Sequence, residues 1–257
     1  MRVLVTNDDG INADGLAILT QVAGEIADDV WVVAPETDQS GVSHSLSLHD
    51  PLRLRDLGGQ RFAVSGTPTD CVIMAVRHLF QDTLPDLVLS GINIGQNVAE
   101  DVIYSGTVAG AMEGTILGIP SIALSQVYGP HGREQAFWEC SAAHAVPVVK
   151  RVIAAGIEPG ILINVNFPSC PADEVAGIAV TAQGRRNLAF MKVDERHDGR
   201  GRPYYWLMGA RNPHEPVDGT DLWAVRNNRI SVTPLQIDLT HEPTMTRYAS
   251  LFHGSRE

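Results

Sequence analysis

At 257 residues, with 44% hydrophobic and 19% charged side chains, the chain is long enough to bury a sizeable core and too apolar to remain disordered. Its formal net charge of -11 excludes a broad electrostatic footprint on nucleic acid, which requires clustered Lys and Arg. No run reaches the ~20 apolar residues of a membrane span, and the start MRVLVTNDDG has no charged leader with an apolar stretch and cleavage site, so a cytoplasmic protein is expected.

Short apolar runs alternate with helical patterns through the first two thirds, which predicts an α/β fold with a parallel sheet. Arg2 to Thr6 reads as the first strand and leads into Asn7-Asp8-Asp9-Gly10. Leu16, Leu19, Val22, Ala23 and Ile26 follow at helical spacing, with Asp14 available as a cap. Val30 to Ala34 is a second buried strand, and the polar stretch Glu36 to Ser45 is a loop. Leu52 to Arg55 and Arg61 to Ser65 flank Gly58-Gly59 as an antiparallel hairpin. Thr67-Pro68-Thr69-Asp70 then supplies a cap, a proline at the first helical position and an acid near the third, for a helix reaching about Phe80.

The next strand is expected from Asp86 to Ser90, leaving Gly91-Ile92-Asn93 at its edge. A glycine-dotted loop leads to Tyr104-Ser105-Gly106-Thr107 and a helix over Val108 to Leu117. Ile122 to Ser125 is a strand, Glu134 to Ala155 a long helix that Pro147 kinks or divides, and Ile161 to Asn166 a further strand. Beyond Ala172 come strand-like pieces at Ile178 to Thr181, Tyr204 to Met208 and Ile230 to Thr233. Between the first two, Gln183 to Pro203 is too long for a plain loop and reads as an arm, a hairpin or a lid. Residues 1–171 are thus expected to form a metal- and phosphate-binding core, and 172–257 a β-rich segment that completes it and mediates oligomerisation. Cys71, Cys140 and Cys170 share no C-x-x-C spacing, so neither a disulfide framework nor a zinc site is indicated, and Cys71 and Cys140, within apolar helical patterns, read as core packing.

Two adjacent carboxylates at the end of a buried strand resist joint ionisation unless a cation neutralises them, although Asp-Asp-Gly is equally ordinary turn chemistry. Ligands of open α/β sheets bind outside the carboxyl ends of the strands, and that is where this pair falls. If the strands ending at Thr6, Ala34 and Ser90 are neighbours, their loops bring Asp8, Asp9, Ser40 and Asn93 to one rim. These are oxygen donors, two charged and two neutral, a set preferred by Mg²⁺ or Mn²⁺ with waters completing the shell. Asp8 and Asp9 are therefore the candidate catalytic residues and, with Ser40 and Asn93, the candidate ligands of one divalent metal ion.

Ser105-Gly106-Thr107 opens a helix, whose unpaired N–H groups and partial positive charge suit a phosphate, with Asn7 and Asn97 as added neutral donors. Ser and Thr are also the commonest helix caps, so this motif alone carries either meaning. No Gly-x-Gly-x-x-Gly follows the first strand and no Gly-x-x-x-x-Gly-Lys-Ser/Thr occurs, which weighs against hydride transfer and NTP-driven chemistry. His44 lies in the loop of Ser40, within reach of a substrate, whereas His78 reads as structural and Tyr104 as packing beneath the phosphate cradle.

NDDG at 7–10, SG at 40–41, GTPTDC at 66–71, SGIN at 90–93, DVIYSGTVAGAMEG at 101–114 and GIPSIALS at 118–125 together resemble the SurE survival proteins. NVNFP at 164–168 and SVTPL at 231–235 extend the resemblance over nearly the whole chain. It implies a Rossmann-like three-layer core, a C-terminal arm exchanged between subunits, and a homodimer or homotetramer. The implied activity is that of a divalent-metal-dependent 5'/3'-nucleotidase that also acts on short polyphosphate, with Asp8, Asp9, Ser40 and Asn93 as metal ligands. The chain departs from the family pattern at Ala99, where glycine is common, and at Ala182, where a basic residue is frequent. Two other readings stand beside this one: a haloacid-dehalogenase-type phosphatase with an aspartate nucleophile, though such enzymes use Asp-x-Asp, and a nucleotide-binding scaffold without turnover.

Overall fold

Val3 and Val5 face one side of the first strand and Leu4 the other, and this period-two division runs through the whole sheet. In the computed structural model, which describes all residues except 81–82, 130–131, 133–135, 187–190, 210–214 and 254–257, nine strands form that sheet. Their order is β3 (Leu54–Asp56), β4 (Arg61–Val64), β2 (Asp29–Pro35), β1 (Arg2–Thr6), β5 (Leu87–Ile94), β6 (Ser121–Gln126), β7 (Ile161–Phe167), β11 (Ile230–Gln236) and β8 (Ile178–Val180). Pairing is parallel except between β3 and β4 and between β7 and β11.

Helices α1 (Asp14–Gly24) and α5 (Trp138–Ala155) cover the face of Val3 and Val5. On the opposite face lie α2 (Pro68–Met74), which continues as a π-helical turn to Leu79, and α4 (Gly106–Ile116). The chain leaves β1 through α1 toward β2, then returns through β4 and α2 to β5, so the sheet reverses direction between β1 and β5. In such folds the crevice beyond that reversal is the binding site. The α/β class and three-layer arrangement agree with expectation, as does the capping box at Thr67, whose Oγ accepts from Asp70 N–H while the Asp70 carboxylate accepts from Thr67 N–H.

Several local expectations are corrected. Asp14 is the first residue of α1 rather than its cap, a position held by Ala13. Strand β5 does not stop at Ser90 but continues to Ile94 through a bulge between Ser90 and Asn93. Gly91 makes this feasible: its φ of +134° suits glycine, and an added Cβ would strike the Leu124 carbonyl. The expected loop before Ser105 contains a short helix, α3 (Asp101–Tyr104), and α4 begins at Gly106 rather than at Val108. Glu134 lies outside the described residues; α5 is assigned from Trp138 and passes through Pro147 without dividing. The tail is less purely β-rich than expected, since it holds α6 (Asp221–Arg226) and α7 (Glu242–His253) beside β8 and β11. The segment Gln183 to Pro203 contributes to an antiparallel hairpin of β9 (Met191–His197) and β10 (Pro203–Gly209). His78 is exposed rather than packed in the core, whereas all three cysteines are buried. No helix among the described residues is long and apolar enough to cross a membrane.

Candidate active site

Beyond the ends of β1 and β5 lies a cleft of about 330 Å³, lined by Asp8, Ser40, Gly41 and Asn93, by the loop from Ile94 to Asn97, and by Asp101, Tyr104, Ser105, Tyr128 and Leu207. Three of the four residues expected to hold a metal therefore share one cavity. The fourth, Asp9, sits beside Asp8 and accepts a hydrogen bond from Ile94 N–H at 3.0 Å, which ties it to the segment carrying Asn93.

Asp8 is only 4% exposed. Burial is the main cause that pushes its pKa up to about 7, the neighbouring charges of Asp9 and Asp38 add to the rise, and the hydrogen bond from Thr107 Oγ1 at 2.5 Å opposes it. The bond from Gln39 N–H to the Asp8 carbonyl, 2.7 Å, brings the second loop against the first. In that loop Asp38 Oδ1 accepts from both Ser40 N–H at 2.8 Å and Ser40 Oγ at 2.5 Å. Asp38 was not singled out from sequence, although its i, i+2 spacing to Ser40 is that of an Asx turn. With its proton directed to Asp38, the Ser40 hydroxyl oxygen keeps lone pairs for a cation.

Helix α4 reaches this rim because Gly106, Gly110 and Gly114 present one bare stripe to the sheet at i, i+4 spacing. A Cβ on Gly110 would come 2.8 Å from Ser90 Oγ, and one on Gly106 would come 2.8 Å from Asp8 Cβ. The positive end of α4 is thus held against the buried carboxylate, a favourable arrangement for negative charge. Gly106→Ala is expected to displace Asp8 and lower kcat at least about tenfold, since small misplacements of reacting groups carry such losses. The secondary structure by circular dichroism should be unchanged.

The phosphate contacts expected from sequence divide. Ser105 lines the cleft and its Oγ caps α4 by accepting from Val108 N–H at 3.0 Å, leaving the hydroxyl proton to donate. Thr107 is fully buried and gives its hydroxyl to Asp8, so the structure places it behind the carboxylate rather than on the cleft wall. Asn7 is also fully buried, its Nδ2 closing the NDDG turn onto the Gly10 carbonyl at 2.9 Å. Asn97 does reach the lining, held there by Asn166 and Asn164 of β7: its N–H donates to Asn166 Oδ1 at 2.8 Å and its carbonyl accepts from Asn164 Nδ2 at 2.7 Å. His44 pairs with Glu113 on α4 at 2.9 Å, and Tyr104, expected beneath the cradle, is instead 53% exposed in the cleft.

A second set of bonds anchors this rim to the C-terminal part of the chain. The buried carboxylate of Asp221 accepts from Ala99 N–H and Gly184 N–H, each at 2.8 Å, and Gln183 Nε2 donates to the Ala99 carbonyl at 2.8 Å. Ala99 adopts φ +52°, a left-handed conformation natural to glycine.

The family description "Survival protein SurE" matches residues 3–189. A protein named 5'-nucleotidase SurE from Methylorubrum extorquens (strain PA1) is 64% identical over 254 residues, covering 99% of this chain and 100% of that one. One of the same name from Methylobacterium nodulans is 65% identical over 252 residues, covering 98% and 100%. The crystal structure of a SurE protein from Aquifex aeolicus, 43% identical, superposes with a TM-score of 0.85 over 98% of this chain and 99% of that one. The motifs that converge on the cleft and the agreement along the full length lead to one conclusion: the chain belongs to the SurE survival protein family.

Proposed function

We propose that the chain hydrolyses nucleoside monophosphates to nucleoside and phosphate with one divalent cation, Mg²⁺ or Mn²⁺, held by Asp8, Asp9, Ser40 and Asn93. It is a 5'-nucleotidase, a phosphoric monoester hydrolase, as its relatives at 64% and 65% identity are named. The observation that carries the metal is Asp8: the charges acting on this buried carboxylate, those of Asp9 and Asp38, are both negative, so a dication is the natural neutraliser. Among the described residues no group of three or more His, Cys, Asp or Glu could hold a metal. The proposed donor set is two carboxylates with two neutral oxygens, which favours a hard cation that retains waters.

When bound, such a cation supplies Lewis-acid polarisation of the phosphoryl group and acidifies the attacking water. The chain's own groups supply the rest. The N-terminus of α4 and the Ser105 hydroxyl face the charge that develops on the phosphoryl oxygens, and the Asn97 side of the cleft limits where the ester can lie. Thr107 orients the Asp8 carboxylate. Because these groups address only the phosphate, the proposal extends to 3'-nucleotides and short polyphosphate. The hairpin of β9 and β10, which exposes Val193, Tyr205, Trp206 and Leu207, supports assembly into a homodimer or homotetramer through the C-terminal arm.

The experiment is release of phosphate from AMP and from p-nitrophenyl phosphate before EDTA, after EDTA, and after re-addition of Mn²⁺ or Mg²⁺. Activity lost with the chelator and restored by the cation is expected. Full turnover in the chelated protein would overturn the metal assignment.

A further inference from the structure

The cleft has two chemistries in its wall. Asp8, Ser40, Asn93 and Ser105 are oxygen donors suited to a cation and a phosphate, whereas Tyr104 and Tyr128 offer aromatic faces that the hydrolytic chemistry does not use. Tyr104 is 53% exposed and Tyr128 36%, and each lines the cavity. Their backbones are fixed. Tyr104 immediately precedes the Ser105 cap, and its carbonyl accepts from Ser43 N–H at 3.2 Å, which places the ring next to the end of the cleft that receives phosphate. The phenol end of Tyr128 lies over Gly95, where an added Cβ would come 2.7 Å from Cζ, and the Gly95 carbonyl is itself bonded by Asn93 Nδ2 at 2.8 Å. Tyr104 thus adjoins Ser105 on the phosphate side of the cleft, and Tyr128 is linked through Gly95 to Asn93, one of the proposed cation ligands.

We infer that Tyr104 and Tyr128 form the nucleobase subsite, gripping the base of a nucleoside monophosphate by aromatic stacking while its phosphate occupies the Asp8 end of the cleft. The inference rests on the nucleotidase reading and adds to it which residues give the enzyme its preference for nucleotides over other phosphomonoesters. Every base has a π-face, so stacking rewards the presence of a base strongly and its identity weakly. Purines and pyrimidines should then differ less from one another than either differs from a sugar phosphate.

The test compares kcat/KM for AMP with that for ribose 5-phosphate, which carries the same phosphate and sugar without a base. The parent should favour AMP, and Tyr104→Ala and Tyr128→Ala should each reduce the AMP to ribose 5-phosphate ratio about tenfold, the size expected for losing one base–aromatic contact. Tyr→Phe at either position should retain the ratio, since the ring face rather than the hydroxyl does the work. Adenosine, which has a base but no phosphate, should inhibit the parent competitively and lose potency by a similar factor in the alanine variants. Equal falls for both substrates would assign the tyrosines a merely structural role and overturn the proposal, as would an unchanged ratio in both variants or Phe variants as impaired as Ala. A parent that cleaves ribose 5-phosphate as well as AMP would overturn the base subsite while leaving the phosphatase chemistry standing. A parent inert toward both would remove the nucleotidase reading itself.

Discussion

Asp9→Asn is expected to lower kcat/KM for AMP by about three orders of magnitude, on the scale of removing a principal electrostatic group from a preorganised site. The substitution is nearly isosteric, and the new amide oxygen can still accept from Ile94 N–H, so the tie between the two loops survives. What it removes is one of the two charges that would face the proposed cation. The loss should therefore appear as weakened Mn²⁺ binding by calorimetry together with lost turnover, while the circular dichroism spectrum and melting temperature of the chelated protein stay close to the parent. Parent-like turnover by Asp9→Asn would refute the assignment. The covalent alternative makes a different forecast: a hydroxylamine-sensitive phosphoprotein trapped during turnover would give Asp8 or Asp9 a nucleophile's role.

Asp8→Asn should do something further, stabilising the metal-free protein while inactivating it. Burial is the main cause that pushes the Asp8 pKa in the folded chain up to about 7, from the 3.8 of an ordinary aspartate. Between those two values the unfolded chain has released its proton and the folded chain has not, so stability present below pH ~4 is lost as pH rises to about 7 and stays lost above it. The difference amounts to roughly 4 kcal/mol at pH 8, or on the order of 10 °C in melting temperature for a chain of this size. An asparagine still accepts from Thr107 and carries no charge to desolvate. In EDTA the variant should melt well above the parent at pH 8, and the gap should narrow toward pH 4. Adding Mn²⁺ should raise the parent and leave the variant unmoved, because only the parent's folded state binds the cation. A gap independent of pH would sever the link to Asp8 ionisation.

These forecasts concern the part of the site most legible in the sequence. NDDG, SG and SGIN sit where predicted strands end, so Asp8, Ser40 and Asn93 reach one rim on the condition that those strands are neighbours, and β2, β1 and β5 are adjacent in the sheet. What escaped depends on contacts between distant segments. Thr107 reads as a cap or a phosphate contact by local rules, yet it turns inward to Asp8, a residue 99 positions away. Tyr104 reads as packing beneath the cradle, but at the end of α3 it lies on the cleft wall, 53% exposed. The continuation of β5 past Gly91 defeats a rule that treats glycine as a breaker, because a bulge uses the same positive φ to extend the strand. Helix α6 has only six residues, too few for periodicity to register, and its importance lies in Asp221, whose partners no local pattern announces.

That carboxylate has a consequence for how the molecule comes apart. By gripping the amides of both Ala99 and Gly184, Asp221 couples the rim of the catalytic crevice to the last quarter of the chain, so neither can open without breaking the other's hydrogen bonds. Native-state hydrogen exchange should find the two amides releasing deuterium together, as members of one cooperative unit. A chain clipped between β7 and β8 would keep Asp8, Asp9, Ser40 and Asn93, the residues of the proposed cation site, and still lose the clasp on the neighbouring loop.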